Sequence, residues 1–207
     1  MPIFKSEWRF TLMQVLKDEL RQAMLRVAQN MFLDPGYEKT SMKDIAAKVG
    51  VSVGNLYRYF PNKEALLESV TMPAYERLLE LMENSEEISA DRMPMILDQL
   101  ESLLAEFLRE YRQSLLILLY KSKGTRQENI RNEFFDRFVS HVEMHFADHN
   151  RKTSAAKQLN SDAARPLAIA FLEGYFEIIR LYSEEEQIVQ AARAYVTIWF
   201  SGLQILL

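Results

Sequence analysis

Thr40-Ser41-Met42-Lys43-Asp44-Ile45-Ala46-Ala47-Lys48-Val49-Gly50-Val51-Ser52-Val53-Gly54-Asn55-Leu56-Tyr57-Arg58-Tyr59-Phe60 reads as two short helices joined by a tight turn. Thr40 and Ser41 can cap a helix over Met42 to Val49, and Ser52 can cap another over Val53 to Tyr59. Gly50 supplies the backbone freedom that the turn after Val49 requires. Ile45, Ala46, Val49 and Val51 are set to pack inward, and the small Ala46 lets the two helices approach. Leu56 and Phe60, four residues apart, share a face and anchor the second helix. Val53, Asn55, Tyr57, Arg58 and Tyr59 are then left for outward or flanking positions. Arg suits guanine edges, Asn suits adenine edges, and an apolar tip can meet a thymine methyl. Hydroxyls and lysines at helix ends suit phosphate oxygens, which fix register without reading sequence.

Outward from this core the periodicity stays helical, and no stretch alternates like a half-buried strand. A first helix is expected from about Leu16 to Leu33, closed by Asp34-Pro35-Gly36. Asn62 can cap a fourth helix, Lys63 to Met72, after which Pro73 should kink or restart the chain. Further helices are expected at about 74–84, 93–109, 111–123, 127–149, 162–182 and 185–206. Ser85 to Asp91 reads as a break, and the polar stretch Arg151 to Ser161 as a mobile loop. The expected fold is all-α: an N-terminal three-helix helix-turn-helix domain with its leading extension (1–62), then a helical ligand-sensing and dimerisation domain (63–207).

The run Gly36-Tyr37, Thr40-Ser41, Ile45-Ala46 and Gly50 through Lys63 resembles the DNA-binding signature of the tetracycline-repressor (TetR) family, in order and in spacing. The resemblance covers about residues 16–70. It implies a homodimer whose two recognition helices enter successive major grooves of a palindromic DNA operator. It implies phosphate contacts at Thr40 or Ser41, at Tyr57 and Tyr59, and at Lys63, with base contacts around Lys43, Val53, Asn55 and Arg58. Ser52 and Gly54, at the leading end of the recognition helix, complete the DNA-facing set. The stretch Met1 to Val15, with Trp8 and Phe10, departs from the pattern; it either extends the first helix or lies over the groove.

Composition narrows the rest. The chain has 207 residues and no cysteine, so disulfides and cysteine chemistry are excluded. Its start lacks the apolar core of a signal peptide, and no apolar run approaches the roughly 20 residues of a membrane span. The expected location is the cytoplasm, with no membrane partner. The net charge of −4 is unevenly spread. Residues 1–63 carry ten Lys/Arg against six Asp/Glu, and residues 64–207 carry fifteen against twenty-three. A polyanion would therefore meet the N-terminal part.

The last two helices carry more apolar surface than one domain needs. Leu167, Phe171, Gly174, Tyr175 and Ile178, with Ala192, Tyr195, Trp199 and Leu203, are the expected dimer interface, a four-helix arrangement about a twofold axis. A fully internal hairpin is the alternative. Phe107, Tyr111, Leu115, Phe134, Phe138 and His141 are the candidate lining of a pocket for a small apolar or amphipathic effector, though each would serve equally as core. His141, His145 and His149 recur every four residues on one expected helix, but three successive turns cannot converge on one ion, so no metal and no cofactor are expected. No glycine-rich phosphate cradle or nucleophile–base spacing recommends an enzyme. The expected function is a regulator of transcription, a repressor that a small effector releases from its operator; the alternative is a regulator of the same fold controlled by a protein partner.

Overall fold

The structure is a computed structural model that describes residues 3–83, 93–155 and 158–206. It is helical throughout, with no strand among the described residues: α1 (Ile3–Met31), α2 (Met42–Val49), α3 (Val53–Tyr59), α4 (Lys63–Glu83), α5 (Met93–Tyr120), α6 (Ile130–Lys152), α7 (Ala164–Leu181) and α8 (Glu185–Leu206). A turn at Phe32–Gly36, containing a cis Asp34–Pro35 bond, separates α1 from the segment leading to α2.

Several boundaries differ from the sequence reading for identifiable reasons. The leading stretch extends α1, which starts at Ile3 rather than near Leu16; Met1, Pro2 and the side chains of Trp8 and Phe10 lie outside the described residues. Pro73 neither ends nor restarts α4. It is exposed and lacks the N–H that would bond to the Ser69 carbonyl, yet α4 runs on through it to Glu83. The expected interruption near residue 110 is absent, because α5 is one helix to Tyr120. The expected loop after Arg151 is pinned by Asn150, whose amide oxygen accepts from Leu159 N (2.7 Å) and whose amide nitrogen donates to Leu159 O (2.9 Å). The expected break at Ser85 to Asp91 lies outside the described residues.

The chain forms two compact units that cut across the expected division at residue 62. The N-terminal unit holds residues 1–75 and 113–128; the C-terminal unit holds 76–112 and 129–207. The N-terminal core gathers Met24, Ala28 and Phe32 from α1, Met42, Ile45 and Ala46 from α2, and Leu56 and Phe60 around α3. Leu66, Leu67 and Val70 from α4 and Ile117 from α5 close it. Buried hydroxyls tie the second segment in. Ser114 Oγ donates to Val70 O (2.6 Å) and accepts from Gln29 Nε2 (2.9 Å), and Thr71 Oγ1 lies 2.8 Å from Gln127 Oε1. A buried polar group without such a partner would cost roughly 1–3 kcal/mol.

In the C-terminal unit α6 and α7 run antiparallel along an aromatic seam: Phe134 and Phe135 meet Phe176, and Phe138 stacks on Phe171. Arg131 joins the seam from above the Phe135 ring and ion-pairs with Glu173. Arg112 donates to the carbonyls of Ile179 and Tyr182, satisfying the last turn of α7.

Candidate nucleic-acid interface

The α2–α3 pair is fixed by local chemistry at every end. Ser41 Oγ accepts from Asp44 N (3.2 Å) while the Asp44 carboxylate accepts from Ser41 N (3.3 Å), a reciprocal capping box. Gly50 ends α2 in the left-handed conformation (φ 84°), its N–H donating to Ala46 and Ala47 carbonyls. Ser52 Oγ accepts from Asn55 N (3.2 Å) and starts α3. Asn62 Oδ1 accepts from Ala65 N (2.7 Å) and starts α4. Each such cap stabilises by about 1 kcal/mol.

With the frame set, the faces sort themselves. Leu56 and Phe60 are buried, as their spacing predicts, and so are Ile45 and Ala46. Ser41, Lys43, Ser52, Gly54 and Arg58 are exposed, Tyr57 is 48% exposed, and Asn55 is half-buried. Val53 and Tyr59 are half-buried and pack against the core, so only part of each faces outward. Gly54 is helical with nothing within 4 Å of where a Cβ would stand. Nothing inside the chain demands glycine there, yet glycine costs up to about 1 kcal/mol relative to alanine in a helix.

Two expected phosphate contacts are occupied within the protein. Thr40 is 2% exposed, and its hydroxyl is directed at the carbonyls of Met31 (2.9 Å) and Gly36 (2.8 Å). Its side chain closes the turn before α2, which leaves Ser41 as the exposed residue of the pair, its hydroxyl donating to the Asp44 carboxylate (2.5 Å). Lys63 Nζ donates to Tyr37 O (2.9 Å) and Thr40 O (3.0 Å) and sits 4.0 Å from the centroid of the Tyr37 ring. Burial lowers the Lys63 pKa, and nearby Glu38 works in the opposite direction. Lys63 thus acts first as a clamp on the Tyr37–Thr40 turn. Lys39, exposed beside that turn, was passed over in the sequence; its only signal is its place next to Thr40 and Ser41.

The residues expected to line a pocket fall in both units. Leu115 belongs to the N-terminal unit and the other five to the C-terminal unit. Phe107 is buried against Tyr111 (5.5 Å), while Phe134 and Phe138 are engaged by Phe176 and Phe171 of α7. Tyr111's hydroxyl pKa is raised, chiefly by burial. His141 is half-buried with its Nε2 3.0 Å from Nε2 of His145, and its pKa is lowered by desolvation first and by His145 second. Among the described residues no group of three or more His, Asp or Glu gathers as a metal site.

The expected dimer residues are partly used inside the chain. Ala192 is fully buried, so it packs within its own subunit and not across an interface. Gly174 lets α7 and α8 close together: a Cβ there would lie 2.3 Å from the Tyr195 hydroxyl, which donates to Ala170 O (2.8 Å). Phe171 contacts Tyr175, Tyr195 and Trp199. Leu167 and Ile178 are half-buried, and the side chain of Leu203 lies outside the described residues. Sequence reasoning missed Ile198, which is 72% exposed, and Leu181, also exposed.

Residues 24–70 match the model of the family described as bacterial regulatory proteins, tetR family. Over this segment the chain is similar to the tetR family. The curated relatives it matches are named as HTH-type transcriptional regulators. UidR, an HTH-type transcriptional regulator of Escherichia coli K12, is 34% identical over 67 residues, which is 32% of this chain and 34% of UidR. A second curated relative, from Bacillus subtilis, is matched over 41% of its own length, so the chain spans well under two thirds of both. Among solved structures, a transcriptional regulator from Aquifex aeolicus superposes with a TM-score of 0.61 at 20% identity, covering 86% of this chain and 98% of that one. NalD, the secondary repressor of the MexAB-OprM multidrug efflux pump in Pseudomonas aeruginosa, gives 0.57 at 22% identity, covering 90% and 96%. These likenesses extend the shared helical fold through the C-terminal half of the chain. Among the described residues no helix is long and apolar enough to cross a membrane.

Proposed function

We propose that this protein is a homodimeric DNA-binding repressor of transcription that leaves a palindromic operator when a small apolar or amphipathic effector binds its C-terminal unit. The observation that carries the DNA reading is the split of α3. Leu56 and Phe60 fix it to the core while Ser52, Gly54, Tyr57 and Arg58 stay exposed on a helix capped at its start. Gly54 fits the same reading, since a helix that approaches a base edge closely gains from having no side chain at that point. Arg58 and Asn55 carry the base contacts, and Ser41, Ser52 and Tyr57 the phosphate contacts, with Lys43 at the start of α2 beside them. Dimerisation is supported by the apolar side chains that α7 and α8 leave exposed, Leu181 and Ile198. Repression is the role of NalD, which shares the fold. Effector release needs only a ligand that binds one dimer state better than the other.

Selection from a random duplex library by the purified protein at physiological salt tests this reading. The expected result is a motif with twofold symmetry and half-sites about one helical turn apart. A single asymmetric half-site would remove the dimer from the reading, and recovery of no motif would remove operator recognition.

A further inference from the structure

We propose that the loop joining α5 to α6, Lys121–Glu128, is a second phosphate-binding element of the DNA surface, with Lys121 and Lys123 as its contacts. The proposal rests on the DNA-binding reading above and extends it to a segment more than fifty residues from α3 in sequence.

The loop belongs to the N-terminal unit, with the helix-turn-helix. It is fastened beside the turn that leads into α2. Arg126 N donates to Glu64 Oε1 (2.9 Å), and Arg126 Nε lies 3.5 Å from Glu64 Oε2. Glu64 follows Lys63, whose ammonium holds the carbonyls of Tyr37 and Thr40. Gly124, in the left-handed conformation (φ 76°), brings its backbone against the same turn: a Cβ there would stand 3.6 Å from Glu38 Oε1. Loop, start of α4 and Tyr37–Thr40 turn therefore form one rim, and that rim continues directly into exposed Ser41 and Lys43.

The loop is also held in shape without help from outside. Thr125 Oγ1 donates to Ser122 O (2.6 Å), Ser122 Oγ to Leu118 O (2.7 Å), and Gly124 N to Glu128 Oε2 (3.1 Å). Glu64 and Glu128 are thereby committed to the frame, whereas Lys121 and Lys123 are exposed and Arg126 is 82% exposed at its side chain. A preformed loop meets a ligand with little ordering cost.

Charge points to the kind of partner. Residues 64–75 add two acids and no base to the unit, and the loop answers with Lys121, Lys123 and Arg126 against Glu128 alone. The N-terminal unit then holds thirteen Lys/Arg against nine Asp/Glu, and the C-terminal unit twelve against twenty. Ammonium groups on flexible stems suit a regular row of phosphates, which duplex DNA presents at one charge per roughly 1.7 Å of axis.

The test uses the full-length protein, the duplex selected by the wild type and salt from 50 to 200 mM. The double substitution Lys121→Gln, Lys123→Gln should lower the slope of log affinity against log salt by up to about two units and leave the selected motif unchanged. Lys121→Arg, Lys123→Arg should restore the slope. Arg151→Gln, Lys152→Gln, on α6 in the C-terminal unit, should leave it at the wild-type value. An unchanged slope in the Gln pair, or an equal fall in the α6 pair, would overturn this proposal while operator recognition stands. A wild type without salt-sensitive duplex binding would overturn both readings together.

Discussion

In the N-terminal unit Leu56 and Phe60 turn inward and leave Tyr57 and Arg58 to the solvent, whereas in the C-terminal unit Phe171, Tyr195 and Trp199 turn toward one another. The first arrangement is made by short-range rules: a cap, a seven-residue helix, and apolar residues four apart. The second is made by long helices whose apolar surface exceeds one stripe, so the sequence permits burial inside the chain or between chains. Short capped helices thus declare which side chains they offer outward, and long apolar helices do not. The practical consequence is that polar side chains around α3 can be assigned individually, while aromatic ones on α7 and α8 need coordinates.

The largest effect is expected at the anchor of α3. Leu56→Ala should cost about 2–5 kcal/mol, measured by urea unfolding, because a fully buried side chain is removed from a small core. A loss under about 1 kcal/mol would mean that α3 is not held as described. In the other unit, Gly174→Ala should cost about 1–3 kcal/mol by overpacking against Tyr195. Paired with Tyr195→Ala it should add little, since the clash is then gone; additive losses would contradict the close approach of α7 and α8.

Lys63→Met sharpens the distinction between a clamp and a phosphate contact. Losing the two carbonyl partners should lower stability by on the order of 1–2 kcal/mol, with the salt slope of duplex binding unchanged. A slope lower by about one unit at unchanged stability would return Lys63 to the phosphate. Ser52→Ala should cost about 1 kcal/mol through the lost cap of α3.

The smallest effect expected is pH dependence at His141. Its folded pKa is lowered by burial, so the fold favours the neutral ring. Protonation begins in the unfolded chain near 6.5, and stability should fall as pH drops through 6.5 toward the lowered folded value. Below that value this contribution stays constant. His141→Asn should flatten that part of the stability curve; an unaltered curve would place the titration elsewhere.

Legibility in the sequence followed the range of the interactions. Ser41, Gly50, Ser52 and Asn62 act on residues within four positions, and their roles could be read directly. Thr40 could not be separated from Ser41, because its burial depends on the path of the chain after Met31. Pro73 suggests a kink or a restart, and no neighbouring residue signals that α4 continues through it. The return of residues 113–128 to the N-terminal unit depends on Ser114 and Gln127 meeting α1 and α4 across long stretches of chain, so the sequence division at residue 62 could not foresee it. Ala192 and Tyr195 show the same limit: a small residue and an aromatic on a broad stripe suit a dimer and a hairpin equally.

The most direct test of the central claim is a parallel selection from one random duplex library by the wild type and by Arg58→Ala. Both should recover a motif, and the variant should lose preference at one base position in each half-site, a discrimination loss of about 1–3 kcal/mol there. Identical motifs from the two proteins, or an equal weakening at every position, would contradict the claim that α3 reads base edges through Arg58.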